Sequence, residues 1–454
     1  MRSRSSLLAV LLPAALVACG DDDGSAPGGP DAQAAAADAA GPDLGPVTIQ
    51  VLWPHLREPA PDVPVVFYDP DGTIRSRTLT DEDGVATASI LPGSAILAFI
   101  QVAIPEEERV EYHVRGVLGL EHGDSIVLRG PEPAPGLEWS GQMTFVLPEH
   151  ASAEYYRVST SCGDSSNFAT PEVTVRFHLG CNRSPMTVLA LVDLGSQDSW
   201  ELGYPSILAT GVDRADGETV TIPGSWQDAT TDPITLTDVP RSVAYAYALG
   251  THARGADDSV PLPARGEQVS PMTDPMVLSL PRATAPEGTL LDIELRNSDR
   301  GLGEQRLDWW IEGAADGGMT TPTPPLLPWV GRALYEVDTR TFRLVRVGEG
   351  SWDTTFVRVT WRSQHGPAET VGSWILAAPA GRDDLTAPPV PDDLRLWDLD
   401  QGLDFLVSAD LFDSDQLTTW DEARQLGLDG LWPDRARDMP VPSLVRLSTY
   451  QATF

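Results

Sequence analysis

From residue 47 onward, short apolar or β-branched runs alternate with clusters of Gly, Pro and Asp. VTIQVLW (47–53), VPVVFYD (63–69), TIRSRTLT (73–80), GVATASIL (84–91), AILAFIQ (95–101), YHVRGVLGL (112–120) and DSIVLRG (124–130) read as seven strands. Pro70-Asp71-Gly72 and Asp81-Glu82-Asp83-Gly84 mark turns between them, because Gly tolerates turn geometry and Asp side chains bond to nearby backbone. Short strands with regular turn signals predict a β-sandwich over 47–130. After a Pro-rich break (130–136) the pattern resumes at WSGQMTFVLP and continues through YYRVSTSC, EVTVRFHLGC, MTVLALVDL, ILAT, ETVTIPG, PITLTDVP and SVAYAYALGTHA, a β-rich domain over 138–255. ARGADDSVPLPARG reads as a loop. A further β-rich stretch over 270–454 holds MVLSLP, TLLDIELR, RLDWWIEG, FVRVTWRS and ETVGSWILAAP, a hairpin about Asp338-Thr339 and a closing strand at 444–451. The segment 379–394 is a Pro/Asp loop, and a capping box at Thr419-Trp420-Asp421-Glu422 predicts one short helix over 419–427. The fold class is therefore all-β, with two or three sandwich units and one short C-terminal helix.

The apolar run at 7–18 breaks this pattern. Arg2 and Arg4 precede it and Cys19 follows Leu16-Val17-Ala18. A charged start, a run too short to span a bilayer and small residues before a cut define a signal peptide, here 1–18. Leu16-Val17-Ala18-Cys19 resembles the lipobox of bacterial lipoproteins. The resemblance implies cleavage before Cys19 and a lipid, palmitate included, on its sulfur. Gly20 directly after the cysteine leans towards the outer membrane. Residues 19–46 are rich in Asp, Ala, Gly and Pro and lack aromatics, which predicts a disordered tether reaching roughly 30 Å.

Asp62-Val63-Pro64-Val65, with Thr80-Asp81 and Asp83-Gly84-Val85-Ala86, resembles the bacterial Ig-like and carboxypeptidase-regulatory-like modules. That resemblance implies a β-sandwich spacer or binding module without catalytic activity. The CG…C spacing and WILAAP…PPVPDDL of the later stretches resemble myxobacterial surface lipoproteins, which implies location and no mechanism.

The net charge of −35 makes nucleic acid an unfavourable partner. All 31 basic residues are arginine, so Schiff-base and P-loop lysine chemistry are excluded. Of three cysteines, Cys19 is assigned to lipid, which leaves Cys162 and Cys181. In an oxidising compartment they are expected to pair, contributing roughly 3 kcal/mol. The seven histidines show no metal-ligand spacing, and no zinc, nucleophile-elbow, dinucleotide or P-loop motif occurs. Asp69, Asp71, Asp81 and Asp83 are weak calcium candidates, with turn capping as the plainer reading. The sets Asp398, Asp400, Asp404 and Asp410, Asp413, Asp415 are read the same way. Trp329, Trp361 and Trp374 fit an aromatic core, whereas one of Trp309 and Trp310 must face outward on a strand and is the candidate for stacking on a sugar ring.

Together these features predict a lipid-anchored protein of the bacterial cell envelope with a structural or adhesive ectodomain, no enzyme activity and no cofactor. Its partners would be the membrane, through the lipid, and a surface glycan or envelope protein. Carbohydrate binding and an unrecognised hydrolase are the alternatives. A histidine gathered with a carboxylate and a nucleophile would favour the last.

Overall fold

The alternation that predicts strands also decides which side chains each strand buries. In β1 (Gly45–Leu52), Val47, Ile49 and Val51 are enclosed while their neighbours are more exposed. The computed structural model describes residues 43–53, 59–104, 109–130, 139–178, 184–195, 204–228, 230–254, 259–261, 266–269, 274–282, 288–297, 303–312, 319–363, 370–399, 404–415 and 444–453. The signal segment, Cys19, Cys181, nearly all of the expected tether and the helix expected at 419–427 lie outside them.

β2 (Pro64–Tyr68), β3 (Ile74–Leu79), β4 (Val85–Ile90), β5 (Ser94–Ile104), β6 (Arg109–Leu120) and β7 (Ser125–Arg129) follow, and with β1 they match the seven strands read from the pattern. Their turns use the expected residues. Asp71 Oδ1 accepts from the Thr73 amide at 2.9 Å and the Thr73 hydroxyl at 2.7 Å. Asp81 Oδ1 accepts from the amides of Asp83 at 3.0 Å and Val85 at 2.8 Å. Gly72 and Gly84 hold φ of 84° and 70°. Their surroundings differ. A Cβ on Gly72 would meet nothing within 4 Å, whereas one on Gly84 would lie 2.4 Å from the Val51 carbonyl oxygen and 2.9 Å from the Ala60 nitrogen. Gly84→Ala is therefore expected to cost about 2–4 kcal/mol and Gly72→Ala only about 1 kcal/mol, because the first adds a backbone clash to the same left-handed strain. Comparing the two thermal midpoints checks this, and equal losses would contradict it.

The next group is β8 (Trp139–Val146), β9 (Tyr155–Thr160), β10 (Gly163–Phe168), β11 (Glu172–His178), β12 (Met186–Asp193), β13 (Ser206–Val212) and β14 (Thr219–Thr221). Two sheets, β10-β9-β12-β13 and β11-β8-β14, face each other across a core of Met143, Phe145, Val158, Val175, Phe177 and Val188. β10 has the polar sequence GDSSNF and carries no apolar alternation. It forms because a tight turn folds it antiparallel onto β9.

The remaining strands are β15 (Thr230–Thr237), β16 (Val243–Arg254), β17 (Ser259–Pro261), β18 (Gly266–Val269), β19 (Met276–Arg282), β20 (Gly288–Asn297), β21 (Glu304–Glu312), β22 (Met319–Pro322), β23 (Trp329–Glu336), β24 (Thr341–Val347), β25 (Thr354–Ser363), β26 (Thr370–Pro379), β27 (Asp384–Thr386), β28 (Asp404–Ser414) and β29 (Leu444–Thr453). β23 and β24 form the hairpin expected about Asp338-Thr339. The segment read as a loop at 253–266 contains β17 and the first residue of β18, and 379–394 contains β27 and the start of a 3-10 turn, Asp392–Trp397. Side chains there pack inward: Val260, Leu385 and Leu394 are all buried.

One large sheet dominates, ordered β3-β2-β5-β6-β26-β25-β28-β29-β21-β20-β16-β17, with β18 also on β16. Its seam is the parallel pair β6–β26, which carries hydrogen bonding from the first stretch of sequence into the last. On one face of this part of the sheet, β4-β1-β7 encloses Phe67, Ile96, Ala98, Val117, Phe356, Ala377 and Phe412. On the other, β23-β24-β27 and the 3-10 turn enclose Leu97, Phe99, Trp361, Trp374, Leu376 and Ala409. The middle strands are thus buried on both sides, which explains continuous apolar runs such as AILAFI. At its far end, β19-β15-β22 packs on β16, β20 and β21 around Ile234, Leu278, Ile293 and Leu307.

Candidate functional site

The face that contains Val117 and Ala377 changes character along β6 and β26. Every second residue of β6 towards its start is polar: Arg115, His113, Glu111 and Arg109. The parallel register sets Ser373 of β26 directly beside His113. A strand pair therefore gathers these groups on one surface next to the apolar core.

The geometry is that of a relay. The Glu111 carboxylate lies 3.0 Å from His113 Nε2, and the Ser373 hydroxyl lies 2.7 Å from His113 Nδ1. Because an ionised carboxylate only accepts, Nε2 carries the imidazole proton and Nδ1 accepts from Ser373. Arg109 bonds the second Glu111 oxygen at 2.6 Å. Arg115 Nη1 reaches Ser373 Oγ at 3.4 Å, and Arg115 Nε donates to the Arg129 carbonyl at 3.2 Å. His113 is 5% exposed, and burial lowers its pKa against the opposing pull of Glu111. The hydrogen bond from His113, followed by the charges of His113 and Arg109, lowers the pKa of Glu111. At neutral pH the set is thus a neutral imidazole between an anion and a half-buried hydroxyl.

Two strands away, Asp410 of β28 lies two residues from Phe412 and shares that face. It keeps a narrow opening to solvent yet sits deep among protein atoms, and desolvation raises its pKa against Thr449 and Arg358. The folded protein then holds a proton that the unfolded chain releases above about pH 4. Its contribution is full below that pH and is lost as pH rises through the folded pKa. Asp410→Asn is expected to abolish this fall, so that its thermal midpoint gains on the parent's as pH is raised from 4. A pH-independent difference between the two would contradict that.

The residues singled out from sequence fall elsewhere. Asp69 is paired with Arg75, and Asp71 and Asp81 cap their own turns. Among the described residues no group of three or more His, Cys, Asp or Glu is arranged to hold a metal. Asp410 and Asp413 belong to a central strand, and Asp413 pairs with Arg446 while Asp398 pairs with Arg340. Cys162 is fully enclosed within the second sandwich. Trp329, Trp361 and Trp374 are core residues. Trp309 and Trp310 occupy β21 opposite Leu291 and Leu290, and their side chains lie outside the described residues. The pairing of Glu111 with His113 is legible as a strand alternation. Ser373 is not, since it lies 260 residues from His113.

No family model matches the chain, and no curated protein matches it. Among solved structures, the Bacillus anthracis TIE protein is similar at 9% identity and a TM-score of 0.15, over 62% of this chain and 50% of that one. The chain thus matches only half the length of that protein. BcpA, the major pilin subunit of Bacillus cereus, is similar at 8% identity and a TM-score of 0.15, over 62% of this chain and 99% of that one. Likenesses at this level carry no argument about function. Among the described residues no helix is long and apolar enough to cross a membrane.

Proposed function

We propose that this is a cell-envelope protein anchored by a lipid on Cys19, with a β-built body that serves a structural or adhesive role. The observation that carries the reading is the short apolar run ending in Leu16-Val17-Ala18-Cys19. The first strand begins only at Gly45, so some 25 residues separate the anchor from the body (20–44). Two or more acyl chains on one cysteine hold a protein firmly at a bilayer, at about 0.8 kcal/mol per buried methylene. The large acidic excess keeps the body off anionic lipid and in water. Export also favours a disulfide between Cys162 and Cys181.

Mass spectrometry of the mature N-terminus tests the anchor: a diacylated or triacylated Cys19 is expected. Cys19→Ser should move the protein from the membrane to the soluble fraction. An unmodified Cys19, or unchanged fractionation of the variant, overturns the reading. A glycan-binding role would rest on Trp309 and Trp310, because the other three tryptophans named for this stretch are buried.

A further inference from the structure

We propose that Ser373, with His113 as its base and Glu111 as the group that positions His113, is a nucleophile that cleaves carboxylic esters. This activity goes beyond the anchored scaffold role and does not depend on it.

Three features of the cluster converge. The first is contact: the hydroxyl, both imidazole nitrogens and the carboxylate form one continuous chain of 2.7 Å and 3.0 Å hydrogen bonds. A serine is a weak nucleophile until a neighbouring base takes its proton, and a base works only in the correct tautomer. Glu111 fixes that tautomer by occupying Nε2, so the lone pair of Nδ1 meets Ser373. The second is electrostatic: Arg115 Nη1, 3.4 Å from Ser373 Oγ, sets a positive charge beside the hydroxyl, which favours the partial negative charge its oxygen takes on as the proton leaves. The third is access. His113 is almost wholly buried, whereas Ser373 keeps partial exposure, so the base is the more shielded of the two. A purely structural network would tie β6 to β26 equally well if its serine were sealed.

The reaction balances without a cofactor. Ser373 Oγ bonds to the ester carbonyl carbon while its proton passes to His113 Nδ1 and the carbonyl electron pair moves onto the carbonyl oxygen. The tetrahedral species collapses, the bond to the alcohol oxygen breaks and His113 returns the proton to the departing alkoxide. A water molecule repeats the sequence on the acyl-serine, giving a carboxylic acid and free Ser373.

The test uses the full chain and a fluorophosphonate probe, which phosphonylates activated serines. The expected result is a single adduct on the arginine-bounded peptide 363–382, mapped to Ser373 by fragmentation. Ser373→Ala should lose that adduct together with hydrolysis of p-nitrophenyl acetate, while staying folded with a thermal midpoint lowered only by the one lost hydrogen bond. His113→Gln should slow labelling by roughly 100-fold or more, the usual worth of a general base. Glu111→Gln adds a readout that simple loss of structure would not produce. Among the described residues the charged groups on the strand of His113 are Glu111, Arg109 and Arg115; from packed elements come Arg129 of β7, whose carbonyl accepts from Arg115, and Arg358 and Arg362 of β25, on the face of Ser373, all of them cations that stay charged over the range tested. The cross-strand partner of His113 on β5, Ile100, and the diagonal residues of β26, Val371 and Ile375, do not titrate. With the carboxylate neutralised, the acid midpoint of the labelling rate should move to lower pH, and Glu111→Asp should return it towards the parent's. No adduct at Ser373 on folded parent protein overturns the proposal. So does labelling at Ser373 that His113→Gln leaves unchanged. Labelling of Cys19→Ser protein separates this outcome from the fate of the lipid anchor.

Discussion

Trp374→Ala is expected to destabilise the body by about 3–5 kcal/mol, the usual range for truncating a large buried aromatic. Trp374 is fully enclosed at the centre of β26 and packs between the large sheet and the layer that covers it. Its indole Nε1 donates to the Trp397 carbonyl at 2.6 Å, so the side chain also clasps the 3-10 turn to the sheet. The Trp397 ring in turn lies 5.0 Å from Tyr112 and 6.1 Å from Phe99, both edge to face. Alanine leaves a cavity and an unpaired carbonyl, and the turn loses its tie. Trp374→Phe keeps most of the apolar volume and gives up the hydrogen bond, so it should cost distinctly less. Denaturant midpoints for the two variants give the measurement. A Trp374→Ala loss below 1 kcal/mol would show that the layers can close over the gap.

Asp398→Ala is expected to cost about 3–5 kcal/mol as well, for an electrostatic reason. Both Asp398 oxygens accept from Arg340 Nη1, at 2.7 and 3.0 Å. The Asp398 side chain is 10% exposed and the Arg340 side chain 21%. Arg340 also holds φ of 54°, a left-handed conformation uncommon for a side chain of its size, at the end of the β23–β24 turn. Removing the carboxylate strands a cation in a desolvated place, which costs far more than the intact pair contributes. The Arg340→Leu, Asp398→Leu double variant removes both charges and should recover most of the loss. Thermal midpoints of the two singles and the double form the cycle that measures the coupling. Additive losses would refute the pairing argument.

Local pattern carried much of this fold. The seven strands of 47–130 and the hairpin turns at Gly72 and Gly84 follow from alternation and turn chemistry, and both survive in the structure. β28 did not stand out, because Asp404, Asp410 and Asp413 break its apolar run and read as an acidic cluster. Asp413 and Asp410 are accommodated by neighbours distant in sequence, Arg446 for the first and Thr449 for the second. β10 was missed for the converse reason: its residues are polar, and only the partner strand makes it a strand. Half of the candidate site was written into β6, where Glu111 and His113 share a face. The other half depends on a parallel pairing that no local periodicity encodes, since strands from opposite ends of a chain leave no mark on each other's sequence.

That same pairing sets the order in which the molecule can be finished. An emerging chain would have β6 available early but would leave it a bare margin of backbone donors and acceptors until β26 arrives some 250 residues later. Closure over such a span is slow, and until it happens the first sheet stays open to the wrong neighbour. A fragment cut after residue 130 would keep that exposed margin permanently, together with half of two unfinished cores, and would tend to associate with copies of itself. The first stretch of this chain is therefore finished only when one of its last strands has joined it.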